Sequence, residues 1–239
     1  TYVLYLPEEF DVKRKAPWPL ITVLAKDGQG EGTLANYIEA ADLINAIVVI
    51  PNETSKGGRA ISTCTKDIKA RLKISPHFNF MVGLNGTAYT FASVKKEKIR
   101  GILVDGADGG MKSPGIRYYY GVTDSKGVAG IVPSFHNIIK NKGKLTVFPN
   151  GIKDSLEVKT EGIAWLYSKK LPKVKQKDVE AYISPFTQKL EYLIDKHSAS
   201  DLNRAYELAK IRVASSRADK KPEMFHVKNL DCFHSAQTL

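Results

Sequence analysis

Phe78-Asn79-Phe80-Met81-Val82-Gly83-Leu84-Asn85-Gly86-Thr87-Ala88 is the stretch on which the reading of this chain turns. An apolar run of strand type, Phe78 to Val82, ends at Gly83. After a tight turn, Thr87-Ala88-Tyr89-Thr90-Phe91-Ala92 reads as the start of a helix. Strand, glycine-flanked sharp turn and helix together have the shape of a nucleophile elbow. Small neighbours are needed there because the central residue sits in strained backbone. The motif asks for Gly-x-Ser-x-Gly, and the chain offers Gly83-Leu84-Asn85-Gly86-Thr87. An Asn amide has no ionisable proton and is no nucleophile at neutral pH.

Working outward, Tyr2 to Leu6 and Leu20 to Ala25 read as strands. The polar connection between them carries Asp11-Val12-Lys13-Arg14-Lys15, the composition of a hairpin tip. Lys26-Asp27-Gly28-Gln29-Gly30-Glu31-Gly32 follows, with glycines at alternate positions between strand and helix, a backbone-amide cradle pattern. A helix over 33–45 places Leu34, Tyr37, Ile38, Ala41 and Ile44 on one face. Ala46-Ile47-Val48-Val49-Ile50 is a buried-type strand, so the order is that of a parallel βαβ unit. A helix over 63–72 precedes the 78–82 strand. Strands are expected at 99–105, 117–121 and 145–148, with a closing helix at 156–171 around Trp165. Strands alternating with helices at this spacing predict an α/β fold, a mostly parallel sheet flanked by helices.

The chain has 239 residues and 43% hydrophobic residues, enough for one large domain or one plus an appendage. No apolar run approaches the roughly 18 residues that span a bilayer, so no transmembrane segment is expected. The chain opens at Thr1 directly in a strand-like run, which implies that a preceding piece has been cleaved, trimmed or left out. A net charge of +11 favours acidic partners in general, although the lysines are scattered among acids in the manner of a solvated surface. No aromatic-interleaved basic stripe is present, so no specific nucleic-acid partner is expected. Cys64 and Cys232 have no metal-type spacing. They are read either as one disulfide pinning the tail or as two buried thiols. Asp105-Gly106-Ala107-Asp108-Gly109-Gly110 reads as a turn, with cation binding as the alternative, and no cofactor or metal is expected.

The chain from Tyr2 to about Leu171 resembles the α/β-hydrolase superfamily, in its single-domain esterase and polyester-depolymerase-like branch. The resemblance rests on order and motif. The early loop, typically His-Gly-x-Gly in that family, reads Asp27-Gly28-Gln29-Gly30 here, and the elbow follows two strands later. Gly121-Val122-Thr123-Asp124-Ser125-Lys126-Gly127-Val128 nearly matches the loop that carries the family's catalytic acid. Phe148-Pro149-Asn150-Gly151-Ile152-Lys153 stands where the family's histidine loop falls. The resemblance thus implies degenerate catalytic positions: Asn85 for serine, Ile152 or Lys153 for histidine, Asp27 for the oxyanion-loop histidine, with Asp124 retained. An acid without base and nucleophile only orients what is missing. A carboxylate at Asp27 also opposes charge that develops at an oxyanion site. The sequence reading is therefore that the chain is not an enzyme.

After about residue 172 the character changes, which predicts two parts: a hydrolase-like domain at 1–172 and a helical extension with an extended tail at 173–239. A helix over 201–215 carries Leu202 and Leu208 on an apolar face, and Phe225, Leu230 and Phe233 are isolated apolar anchors. These five are the expected partner-binding residues. The function expected is a non-catalytic, structural or protein-binding component of a larger assembly, with other protein subunits as partners and oligomerisation open. Two alternatives stand beside it: an active esterase with an unrecognised nucleophile, and a small-ligand-binding protein using the relic pocket. A periplasmic or extracellular location is favoured by the even cysteine count and the missing start.

Overall fold

The computed structural model describes residues 1–25, 29–53, 58–84, 98–105, 117–122, 143–147, 156–175 and 178–183. The chain divides into two compact units, Thr1–Lys170 and Leu171–Leu239. In the second unit the described residues comprise a 3-10 turn, Leu171–Lys173, and a helical stretch over 178–183.

The first unit is built on strands β1 (Tyr2–Tyr5), β2 (Trp18–Leu24), β3 (Ile47–Pro51), β4 (Ile74–Leu84), β5 (Gly101–Asp105), β6 (Arg117–Val122) and β7 (Lys144–Val147). Helix α1 (Gly30–Leu43) joins β2 to β3, α2 (Gly58–Arg71) joins β3 to β4, and α3 (Leu156–Ser168) follows β7. Every residue of β2 and of β3 is buried. Near-continuous apolar strands of this kind are stable only where both faces of a parallel sheet are covered. The strand order is β1-β3-β2-β4-β5-β6-β7, and only β1 runs antiparallel to its neighbour.

The hairpin expected from 2–25 does not form. β1 pairs with β3, Tyr2 opposite Pro51 and Tyr5 opposite Val48, while β2 lies between β3 and β4. The reason is burial: β2 is apolar along its length and takes a central place, whereas β1, with Leu4 exposed, suits an edge. The elbow strand also starts earlier than expected. β4 begins at Ile74, opposite Trp18, but Leu20 already faces Asn79, so β4 bulges in between. Pro76 falls in the bulge, where a missing N–H is tolerated, and the Ser75 hydroxyl accepts the His77 amide.

The pleat divides the core into two layers. Trp18 and Leu20 of β2 and Ile47 and Val49 of β3 pack with Cys64 and Ile68 of α2. The opposite face takes α1 and α3, which pack side by side. There Phe78 of β4 stacks on Tyr167 of α3 with ring centroids 4.2 Å apart. The Lys159 ammonium of α3, itself buried, lies 5.0 Å from the centre of the Tyr37 ring of α1. α1 ends in a Schellman turn: the amide of Ala46 donates to the Ala41 carbonyl and that of Asn45 to Asp42. Asn45 holds the left-handed position with φ of 48°.

Candidate functional site

The winding of the sheet locates the site. From β2 the chain crosses through α1 to β3 on one side, then returns through α2 to β4 on the other side of β2. β2 and β4 are therefore neighbours whose continuations leave in opposite directions, with Leu24 paired to Gly83. Such a reversal opens a crevice outside the carboxyl ends of the strands, where ligands of open α/β sheets bind.

Several chain segments converge on this edge. β2 ends at Leu24, and α1 starts at Gly30, so the first turn of the helix turns its unpaired amides toward the crevice side of the sheet. Gly30 is required by packing: a Cβ there would stand 2.9 Å from Val3 Cγ2 and 3.0 Å from Asn52 Oδ1. Gly32 has no neighbour within 4 Å of such an atom, so only one of the two glycines is a close-approach position. The expected cradle is thus in part the opening of a helix. Further along the sheet, Leu84, Asp105, Gly121 and Thr146 lie in one register row. The loops that follow β4, β5, β6 and β7 accordingly spring from one level of one edge.

The residues singled out from sequence follow the strands of this edge in the chain. Asn85 is the residue next after β4, Asp124 comes shortly after β6, Ile152 and Lys153 follow β7, and Asp27 precedes α1. All five lie outside the described residues, as do the expected partner-binding residues Leu202, Leu208, Phe225, Leu230 and Phe233. Asp105, which closes the strand expected at 99–105 and opens the stretch read as a turn, is the last residue of β5, because the apolar run Ile102-Leu103-Val104 carries the ladder straight into it. That run was the available signal for an acid at the same edge as Asn85.

The perturbed ionisable groups among the described residues serve structure rather than this edge. The Tyr2 hydroxyl donates to Asp67 at 2.6 Å and Arg71 donates to the same carboxylate at 3.0 Å. The Tyr2 bond, then the Arg71 bond, hold the Asp67 carboxyl below its ordinary range. Burial, followed by its bond to Asp42, raises the Tyr5 hydroxyl. Cys64 is a free, buried thiol pushed up to about 12, chiefly by burial. Cys232, the other half of the disulfide alternative, lies outside the described residues. No three His, Cys, Asp or Glu side chains come together as a metal site among the described residues. No helix among them is long and apolar enough to cross a membrane.

No family model and no curated protein matches the sequence. Solved structures do match the fold. FphF, a fluorophosphonate-binding serine hydrolase of Staphylococcus aureus, superposes with a TM-score of 0.53 at 12% identity, over 69% of this chain and 91% of that one. The isopeptidase AtxE2 superposes with a TM-score of 0.51 at 12% identity, over 88% of this chain and 41% of that one. This corrects the sequence reading that the chain is not an enzyme. Both of these structures, which share its fold, are hydrolytic enzymes, a serine hydrolase and an isopeptidase. The parallel sheet, its order and its agreement with these structures establish that the chain has the α/β-hydrolase fold.

Proposed function

We propose that this chain is a hydrolase of acyl esters whose reaction centre lies at the carboxyl edge of the sheet, between β2 and β4. The observation that carries this reading is the level register row Leu84–Asp105–Gly121–Thr146 beside the β2/β4 reversal. It starts the loops containing Asn85 and Asp124 from one edge. In this reading a hydroxyl from one of those loops attacks the acyl carbon and the alkoxide leaves with a proton. Water then releases the acid from the acyl-enzyme. Thr87 and Thr123 are the hydroxyls that come first after the ends of β4 and β6, and Ser125 follows two residues after Thr123. Asn85, unable to attack, donates its side-chain N–H to the developing oxyanion.

The test is hydrolysis of a chromogenic short-chain ester by the full chain. Turnover should exceed the buffer rate, and Asn85→Ala should lower kcat by about 10²–10³, the usual loss for one oxyanion donor. Turnover indifferent to that change would move the reaction away from Asn85. An absence of turnover across esters of different acyl length would sink the reading.

A second reading concerns assembly and has its own support, the separate compact unit Leu171–Leu239. Its sequence spaces Leu202 and Leu208 on one helical face and adds Phe225, Leu230 and Phe233. We infer that these residues face other protein subunits, since each large apolar group left in water forfeits roughly 1.5–3 kcal/mol of burial. Leu202→Asp with Leu208→Asp should release the chain from its native complex on size-exclusion chromatography while leaving it folded. A complex of unchanged size would place the interface elsewhere.

A further inference from the structure

The edge opposite the proposed reaction centre carries a row of bases. Lys13, Arg14 and Lys15 lie just before β2, Lys73 just before β4, and Lys98 and Arg100 just before β5. β2, β4 and β5 are successive neighbours, so these bases line the amino ends of three adjacent strands. Direct bonds hold them together. The Lys73 ammonium donates to the Lys15 carbonyl at 2.6 Å, and the Lys73 carbonyl accepts the Trp18 amide at 2.7 Å. Arg14 stands over the Trp18 ring, 4.2 Å from its centre. Arg100 donates its Nε to the Pro76 carbonyl at 3.0 Å.

Five of these charges, those of Lys13, Lys15, Lys73, Lys98 and Arg100, are not spent on described acids of the same edge. Lys13, Lys15, Lys73 and Lys98 are exposed, and none of them, nor Arg100, has a carboxylate partner among the described residues. Asp11 instead accepts the backbone amide of Lys13, and Asp67 is taken by Tyr2 and Arg71. Carbonyl bonds fix Lys73 and Arg100 in place without neutralising them. In the midst of the row stands Val12, 81% exposed, against 38% for Leu4 and 39% for Leu6 on the far β1 edge. An apolar side chain at a turn tip between basic neighbours is the composition of a contact with an anionic lipid surface. A nucleic-acid strand would call for exposed rings on which bases stack. Here Trp18 is buried beneath Arg14, and Phe10 packs against it at 5.0 Å.

We propose that the amino edge of this sheet is a docking face for an anionic lipid surface, with Val12 entering the headgroup layer and Lys13, Lys15, Lys73, Lys98 and Arg100 on the lipid phosphates and carboxylates. Docked this way, the molecule turns the carboxyl edge of its sheet away from the lipid. The experiment is co-sedimentation of the full chain with vesicles of phosphatidylcholine alone and with 30 mol% phosphatidylserine (a composition chosen at about the charge density of anionic leaflets). Partition should require phosphatidylserine and weaken as salt rises. Lys13→Gln, Lys15→Gln and Lys73→Gln together should lower it about a hundredfold, near fivefold for each charge removed. Val12→Ser should lower it about tenfold with no change in charge. Should the triple variant misfold, Lys98→Gln with Arg100→Gln provides the same comparison at about 25-fold. Equal partition onto neutral vesicles, no partition at all, or binding indifferent to both sets of changes would overturn the proposal. So would tighter binding to single-stranded RNA than to the anionic vesicles, which would assign the face to another class of polyanion.

Discussion

Gly101 in β5 and Leu166 in α3 are in direct apposition: a Cβ on Gly101 would lie 2.8 Å from Leu166 Cδ2 and 3.0 Å from Phe80 Cδ1. Leu166 and Phe80 are both fully buried, so neither can swing aside into solvent. α3 reaches the sheet at this point because β5 opens with a residue that has no side chain. Gly101→Ala is therefore expected to cost about 1–3 kcal/mol in denaturant midpoint, as overpacking of a filled core does. Leu166→Ala in the same chain should cost less than the sum of the two single changes, since each relieves the other. Gly32→Ala, in open space within α1, should instead be neutral or stabilise by up to about 1 kcal/mol.

Asn45 closes α1 with φ of 48° and donates its side-chain amide to Glu9 at 2.8 Å. Asn45→Gly keeps the backbone comfortable and loses one hydrogen bond. Asn45→Ala loses the bond and adds left-handed strain, for about 1–2 kcal/mol in all. Thermal unfolding of the two variants should rank Gly above Ala. The reverse order would mean that the Schellman turn is not what holds this corner.

The same corner shows what a sequence can and cannot disclose. The helix over 33–45 and the strand Ala46 to Ile50 were legible because apolar spacing changes from helical to continuous between them. α1 nonetheless begins at Gly30, since the first turn of a helix tolerates glycines that composition assigns to a loop. β1 was legible as a strand, but its partner was not: Tyr2 to Tyr5 pairs with residues near 50, and no local pattern encodes so distant a choice. The early start of β4 was hidden by Pro76, which usually ends a strand and here sits in a bulge. At the site, the strand that leads up to Gly83 was legible from the apolar run Phe78 to Val82. Asn85, Asp124, Ile152 and Asp27 themselves lie outside the described residues.

Cys64 gives the fold a dependence on alkaline pH. Burial among Trp18, Leu20 and Ile68 raises its thiol from 9.0 to about 12. The folded state favours the neutral thiol, so this contribution is whole below pH 9. As pH rises from 9 toward 12 the unfolded chain releases its proton and the folded chain does not, and stability falls. Urea midpoints measured across that range should fall less steeply in Cys64→Ala than in the parent chain. In a Cys232→Ser background, a thiol reagent should modify Cys64 only after unfolding. Modification of the native protein at the rate of a free peptide thiol would contradict the burial.

The central claim, an acyl-hydrolysing centre at the carboxyl edge of the sheet, is tested most directly by covalent capture. The full chain is treated with a fluorophosphonate probe, which phosphonylates an activated hydroxyl, and the adduct is located by peptide mass spectrometry. The account predicts a single adduct on a hydroxyl in the loop after β4 or after β6, formed in step with loss of ester turnover. A chain that takes up no probe and turns over no ester, or an adduct on a residue remote from these loops, would contradict it.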